Sequence, residues 1–112
     1  MEFTKDTSKI LTAIYKTYLE RLNNGYSKSA AKYFELDFYK SITALSSWSE
    51  DDVIDSIEEL SDAEFVDECI SGDFQVQNLL IVHMENRFKK ELATVTKYLA
   101  DLVADIVPGL KF

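Results

Sequence analysis

Apolar side chains recur every three or four residues near the start of the chain, and this spacing predicts an amphipathic helix. Lysine and threonine occupy the positions between them, as expected of a face that meets solvent. Thr4, Asp6 or Thr7 can cap the start of this helix, and Asn-Asn-Gly at 23–25 is a stop signal. The apolar positions are Ile10, Leu11, Ile14, Tyr15, Tyr18, Leu19 and Leu22.

Two shorter segments with aromatic residues follow the first helix. SKSAAKYF at 27–34 predicts a short helix with Ser27 as its N-cap, and Asp37 can cap another within FYKSITALSSW at 38–48. We expect the aromatic residues of both segments to close the core, with a surface that stacks bases or ligands as the alternative. These residues are Tyr33, Phe34, Phe38, Tyr39 and Trp48.

The next apolar stripe predicts a third helix, which begins after Ser49. Ser49 followed by Asp52 resembles a capping box, and acids in the first turn suit the helix dipole. The stripe consists of Val53, Ile54, Ile57 and Leu60, with Ala63 and Phe65 as possible extensions. The opposite face then carries the outward carboxylates of Asp51, Asp55, Glu58, Glu59 and Asp62.

A β-hairpin is predicted directly after this acidic helix. β-Branched and aromatic residues flank Ser71-Gly72-Asp73, a sequence typical of a short turn. The predicted strands run over roughly 65–70 and 73–77.

From residue 78 to 107 no breaker interrupts the pattern, which predicts one long C-terminal helix of roughly 40 Å at 1.5 Å per residue. Its apolar residues resemble a coiled-coil seam, and we expect a second copy of the chain to bury that seam in a homodimer. Packing against the first helix of the same chain is the alternative. The residues expected in the dimer seam are Phe88, Leu92, Val95, Leu99, Leu102 and Ile106.

This order of elements is that of a winged helix followed by a C-terminal dimerisation helix. KILTAIYKTYLE, WSEDDVIDSIEELSDAEFV, the glycine-turned hairpin and NLLIVHMENRF resemble the small YjcQ-type proteins of Gram-positive bacteria and their phages. A length of 112 residues indicates one domain, 1–112, and the resemblance, which covers about 9–88, implies a mainly α (α+β) fold. Its winged-helix-like core would span 1–77, with the hairpin as the wing at 65–77. Residues 50–66 would form the second helix of the helix-turn-helix.

Charge changes what this fold is expected to do. Eleven of the 20 acids lie between residues 49 and 73, and no lysine or arginine occurs between Lys40 and Arg87. DNA affinity comes largely from basic side chains that neutralise phosphates, so docking of DNA on the acidic helix is disfavoured. We therefore expect a non-enzymatic module whose acidic helix and wing bind a basic protein surface, and in a sharper version mimic nucleic-acid phosphates.

The alternative function is a DNA-binding transcriptional regulator that uses basic residues outside the acidic helix. The candidate contacts are Lys28, Lys32, Lys40, Arg87, Lys89 and Lys90. The alternative interpretation of these residues is that their charge only keeps the protein surface soluble.

Other chemistry finds little support in the residues. The three glycines form no phosphate-binding loop, and the acids do not follow the ligand pattern of a calcium loop. Cys69 and His83 would be the only thiol–imidazole pair, and a buried structural cysteine is the favoured interpretation of Cys69. We expect no enzyme activity, no cofactor and no metal.

The expected location is the cytoplasm. The start of the chain lacks the basic and apolar regions of a signal peptide, and the longest apolar run, 79–82, is far shorter than the roughly 20 residues that span a bilayer. A single cysteine suits a reducing compartment.

Overall fold

The computed structural model describes residues 3–89 and 91–106, with side chains as far as Leu102, and it is a mainly helical α+β fold with a β-hairpin, as predicted. The elements in chain order are α1 (Lys5–Asn23), α2 (Lys28–Lys32), β1 (Tyr33–Phe34), two 3-10 segments (Leu36–Ser41 and Thr43–Leu45), α3 (Glu50–Asp62), β2 (Val66–Glu68), β3 (Phe74–Val76), α4 (Asn78–Phe88) and α5 (Leu92–Ile106).

Side-chain caps fix where three of the helices begin. The hydroxyls of Thr4, Ser27 and Ser49 accept hydrogen bonds from backbone amides three residues later, at 3.2 Å in each case. Such a cap satisfies an amide that the helix itself leaves without a partner. Asp37 does not play this role: it lies within the first 3-10 segment, which Glu35 precedes without any side-chain capping bond.

The three strands form one antiparallel sheet in the order β1-β3-β2. Tyr33 pairs with Gln75 across β1 and β3, and Val66 pairs with Val76 across the hairpin. The hairpin strands are shorter than predicted. The sequence did not predict β1, because two residues are too few to show the alternation that marks a strand.

The core surrounds α1, whose residues from Ile10 to Tyr15 are all buried. It packs against α5, α3 and α2. The aromatic rings predicted for the core meet there: Phe34 stacks on Phe74 at 5.2 Å, and Phe38 packs edge-on against both at 5.3–5.4 Å. Tyr39 is also buried.

Two of the predicted core aromatics lie nearer the surface. Tyr33 is 45% exposed, and Trp48 is half-buried. The ammonium group of Lys9 sits 5.1 Å from the centre of the Trp48 ring, and burial lowers the pKa of that lysine. This cation–π interaction stabilises the ammonium group while the aliphatic part of the lysine side chain packs in the core.

The prediction of one long C-terminal helix is wrong, because the chain turns between α4 and α5. Lys89 caps α4 in the left-handed conformation with φ 52°, and its amide donates to the carbonyl of Glu85 at 2.7 Å. A strained backbone position of this kind costs about 1–3 kcal/mol. Burial of the Val95 and Leu99 side chains stabilises the fold by about 1.5–3 kcal/mol each, which offsets the strain at Lys89.

The residues assigned to a dimer seam are mostly used within the chain. Phe88, Val95 and Leu99 are 5%, 0% and 6% exposed, and α5 packs on α1. Leu92 packs against the same core, Leu102 is half-buried, and the side chain of Ile106 lies outside the described part. The alternative of intrachain packing is therefore observed, and the described side chains of α4 and α5, as far as Leu102, belong to the same core as the residues before them.

We expect Leu99→Ala to lower the free energy of unfolding by about 2–5 kcal/mol, because it empties a buried site between α5 and α1. Urea unfolding at two protein concentrations tenfold apart measures this change. Leu79→Ala, at a leucine that is 47% exposed, is the matched control and should stay within about 0.5 kcal/mol. If the loss of unfolding free energy becomes smaller as the protein concentration rises, Leu99 lies at an interface between two copies of the chain instead.

Candidate partner-binding surface

The acidic helix α3 folds because one of its faces is apolar. Val53, Ile57 and Leu60 are at most 2% exposed, and the helix packs on α1 and on β2. Ser49 caps its start, and Glu50, Asp51 and Asp52 stand in the first turn, where the helix dipole favours negative charge.

Four carboxylates form a single row on the opposite face of α3, and we call them the acidic row: Asp51, Asp55, Glu58 and Asp62. Their spacing of four, three and four residues places them one above another over about 16 Å of helix. All four side chains are exposed. Within residues 3–89 and 91–102, whose side chains the structure describes, none of these four carboxylates forms an ion pair with a lysine or arginine.

Glu59 does not belong to this surface, which corrects its assignment to the partner-binding set. It is half-buried, and its carboxylate accepts hydrogen bonds from the hydroxyls of Thr7 at 2.5 Å and Thr4 at 3.5 Å. At about 100° per residue, Glu59 projects from the flank of α3 rather than from the centre of the polar face. Its function is to tie α3 to the beginning of α1.

Asp73, in the turn of the hairpin, is also engaged within the chain. Its carboxylate accepts hydrogen bonds from the hydroxyl of Tyr33 at 2.5 Å and from the amide of Leu36 at 3.0 Å. The bond to Tyr33 lowers the pKa of Asp73 and raises the pKa of Tyr33 to about 12. We call this pair the Tyr33–Asp73 latch, because it fastens β1 to the hairpin.

Glu68 extends the acidic surface onto the hairpin. Burial raises the pKa of this glutamate, the negative charges of Glu58 and Asp62 raise it further, and a hydrogen bond from Ser61 opposes the change. Burial is the larger cause, and the contribution of Glu58 and Asp62 places Glu68 close to two carboxylates of the acidic row, where α3 meets β2.

An open groove of about 290 Å³ separates α3 from the hairpin turn. Leu36, Ile54 and Ile57 supply its apolar wall, and Ile70 is fully exposed at its rim. Cys69 lines the groove and is exposed, so the interpretation of a buried cysteine is wrong. The sequence pattern placed Ile70 in a strand, but it lies in the turn, where no neighbour covers it.

The basic residues of the alternative function do not converge. Lys28 is exposed on α2, and Lys32 donates to Asn78 at the first residue of α4, 2.8 Å away. Arg87 and Lys89 lie at the other end of α4, about 14 Å along the helix axis. Lys40 shares a depression with four acids, Glu35, Asp37, Glu50 and Asp73, and Lys90 lies outside the described residues.

The thiol and the imidazole are placed in different parts of the molecule. Cys69 borders the groove beside the hairpin, whereas His83 lines a cavity between α1 and α4 and packs against the ring of Phe65 at 5.2 Å. Among the residues that the structure describes, no group of three or more His, Cys, Asp or Glu side chains is arranged to hold a metal ion.

Neither a family model nor a curated protein nor a solved structure matches this chain. The resemblance to YjcQ-type proteins thus stays a prediction. Within the described ranges, no helix has the length and apolar character that crossing a membrane requires.

We expect the Tyr33–Asp73 latch to make stability sensitive to alkaline pH. The pKa of Tyr33 is raised on folding from 10.0 to about 12, so its contribution is complete below pH 10 and is lost as pH rises through about 12. Urea unfolding of the wild type and of Tyr33→Phe from pH 8 to 12 measures the difference in stability between them.

That difference should shrink at the alkaline end, because only the wild type loses a tyrosine proton at this position. Tyr26→Phe, at a tyrosine exposed to a similar extent, is the control and should show no such trend. A difference between wild type and Tyr33→Phe that does not vary with pH would contradict the latch.

Proposed function

We propose that this protein is a non-enzymatic binding module whose acidic row contacts a basic surface on a partner protein. The observation that carries the proposal is the row itself: Asp51, Asp55, Glu58 and Asp62 are exposed, aligned and unpaired with any described cation. Like charges on one face repel each other, and a cationic partner would relieve that repulsion.

The fold supports a winged-helix interpretation of this surface. A strand after the first helices pairs with the second strand of the hairpin, in the order β1-β3-β2, and α3 directly precedes the hairpin. In this interpretation, which the YjcQ resemblance also favours, α3 stands where a DNA-reading helix would enter the major groove. The proposed partner therefore replaces DNA at that position.

The density of charge on α3 supports phosphate mimicry as the sharper form of the proposal. The helix has 13 residues and seven of them are acidic, so about one negative charge falls in every 3 Å of its axis. Duplex DNA carries one charge per about 1.7 Å. A protein site that binds nucleic acid through lysine and arginine would meet a comparable field on α3, and association would be fast and sensitive to salt.

Binding of DNA itself is the competing function, and the placement of charge weakens it. Phosphates would be repelled by the acidic row, and the basic candidates are divided between the two ends of α4 and an acid-lined depression. We further propose that the module acts in the cytoplasm, and that a homodimer, if formed, uses a surface other than the buried face of α5.

We expect Asp55→Lys combined with Glu58→Lys to abolish partner capture, since it reverses the centre of the acidic row. The measurement is capture of proteins from a Gram-positive bacterial lysate on the immobilised protein. Proteins retained by the wild type should elute with rising salt and with added duplex DNA, which would compete for the same basic site. The matched control, Glu91→Lys with Asp101→Lys on and beside α5, makes the same change in net charge at exposed positions and should capture normally.

Equal capture by both double variants would contradict the proposal. A gel shift with mixed duplex DNA at low salt tests the competing function. A shift that Arg87→Gln removes, and that the acidic-row variant leaves in place, would assign the protein to the DNA-binding regulators.

A further inference from the structure

A cavity of about 270 Å³ lies on another side of the molecule, where α1, α4 and α5 meet. Helices α1 and α4 face each other across it, and each contributes two polar side chains that are one turn apart along that helix. These are Ser8 and Thr12 on α1, and His83 and Arg87 on α4. Tyr98 closes it from α5, and Phe3 and Leu11 supply apolar walls. Its volume is near the lower end for small-molecule sites, which indicates a small ligand.

The polar side chains around this cavity each carry a hydrogen-bond donor, and Arg87 carries donors only. The guanidinium of Arg87 donates to the hydroxyl of Tyr98 at 2.6 Å and stacks 4.4 Å from the centre of that ring. This contact leaves further N–H groups of the arginine, and the hydroxyl hydrogen of Tyr98, for a ligand. In the part of the chain that is described, neither the Ser8 hydroxyl nor the His83 ring has a hydrogen-bonding partner. Thr12 donates to the carbonyl of Ser8 at 2.7 Å.

The charge of the cavity is opposite to that of the protein. The chain has a formal net charge of −8, and acids line the groove beside the hairpin and the depression around Lys40. No Asp or Glu lines the cavity at Arg87. Burial lowers the pKa of His83, and the positive charge of Arg87 lowers it further, as expected of a ring that lies close to the guanidinium.

We propose that this cavity binds a small organic anion, a carboxylate or phosphate monoester with a compact apolar body. Arg87 holds the anionic group, Ser8 and His83 donate to its remaining oxygens, and Phe3 and Leu11 contact the apolar part. The contact with Tyr98 already orients the arginine, so little side-chain entropy is lost on binding. This site is separate from the acidic row and does not depend on the function proposed for that row.

Since His83 is the single histidine of the chain, its ring resonances report on the cavity without overlap. The experiment titrates the full chain at constant ionic strength with benzoate, phenyl phosphate or acetate, and follows these resonances by NMR. We expect saturable shifts with benzoate and phenyl phosphate. Acetate should bind at least fivefold more weakly, because it lacks a ring to contact Phe3 and Leu11.

Arg87→Gln should weaken benzoate binding at least tenfold, since it removes the charged hydrogen bonds to the anion. Lys28→Gln, which removes the same charge from exposed α2, is the matched control and should bind as the wild type does. Ser8→Ala should weaken binding severalfold and supplies the comparison if Arg87→Gln fails to fold. Shifts that stay linear and that sodium chloride reproduces, or equal affinity in wild type, Arg87→Gln and Ser8→Ala, would overturn the proposal.

Discussion

Burial of α1 is the constraint on which the rest of the structure depends. Most of the buried residues of this helix are apolar, with Thr7, Lys9 and Thr12 as the polar exceptions, and α5, α3 and α2 all pack against it. A chain of this size buries only a modest core, so each of these contacts contributes a large share of the total stability. The position of every surface discussed above follows from how the other helices are held on α1.

Two consequences of that packing define the acidic surface. Because Val53, Ile57 and Leu60 face inward, the acidic row must face solvent. Glu59, one position beyond Glu58, falls on the flank and is drawn into hydrogen bonds with Thr4 and Thr7. The Tyr33–Asp73 latch similarly removes one acid from the hairpin turn and uses it to hold β1 in place. Acids that look equivalent in the sequence thus divide into structural and exposed groups.

The same packing creates the cavity at Arg87. The turn at Lys89 brings α5 back toward α1, and Tyr98 then meets Arg87 while Phe88 packs between Tyr15 and Tyr98. A continuous helix would have carried Tyr98 away from this place. The positive cavity and the acidic row are therefore products of one arrangement, with charge of opposite sign on separate surfaces.

The sequence by itself determined the features that depend on neighbours along the chain. Helical periodicity and capping residues predicted α1 and α3, and the Ser71-Gly72-Asp73 turn predicted the hairpin. The apolar stripe of α3 predicted an acidic face opposite it, made of Asp51, Asp55, Glu58, Glu59 and Asp62. Tertiary structure alone decided the turn at Lys89, the strand β1, the role of Glu59 and the latch between Tyr33 and Asp73. The strand β1, the role of Glu59 and the latch each depend on a partner that is distant in the sequence. The turn depends on a left-handed backbone at Lys89, whose strain is offset by the burial of α5. Local sequence patterns predict the conformation that each element favours by itself, whereas contacts between elements decide which conformation the folded chain adopts.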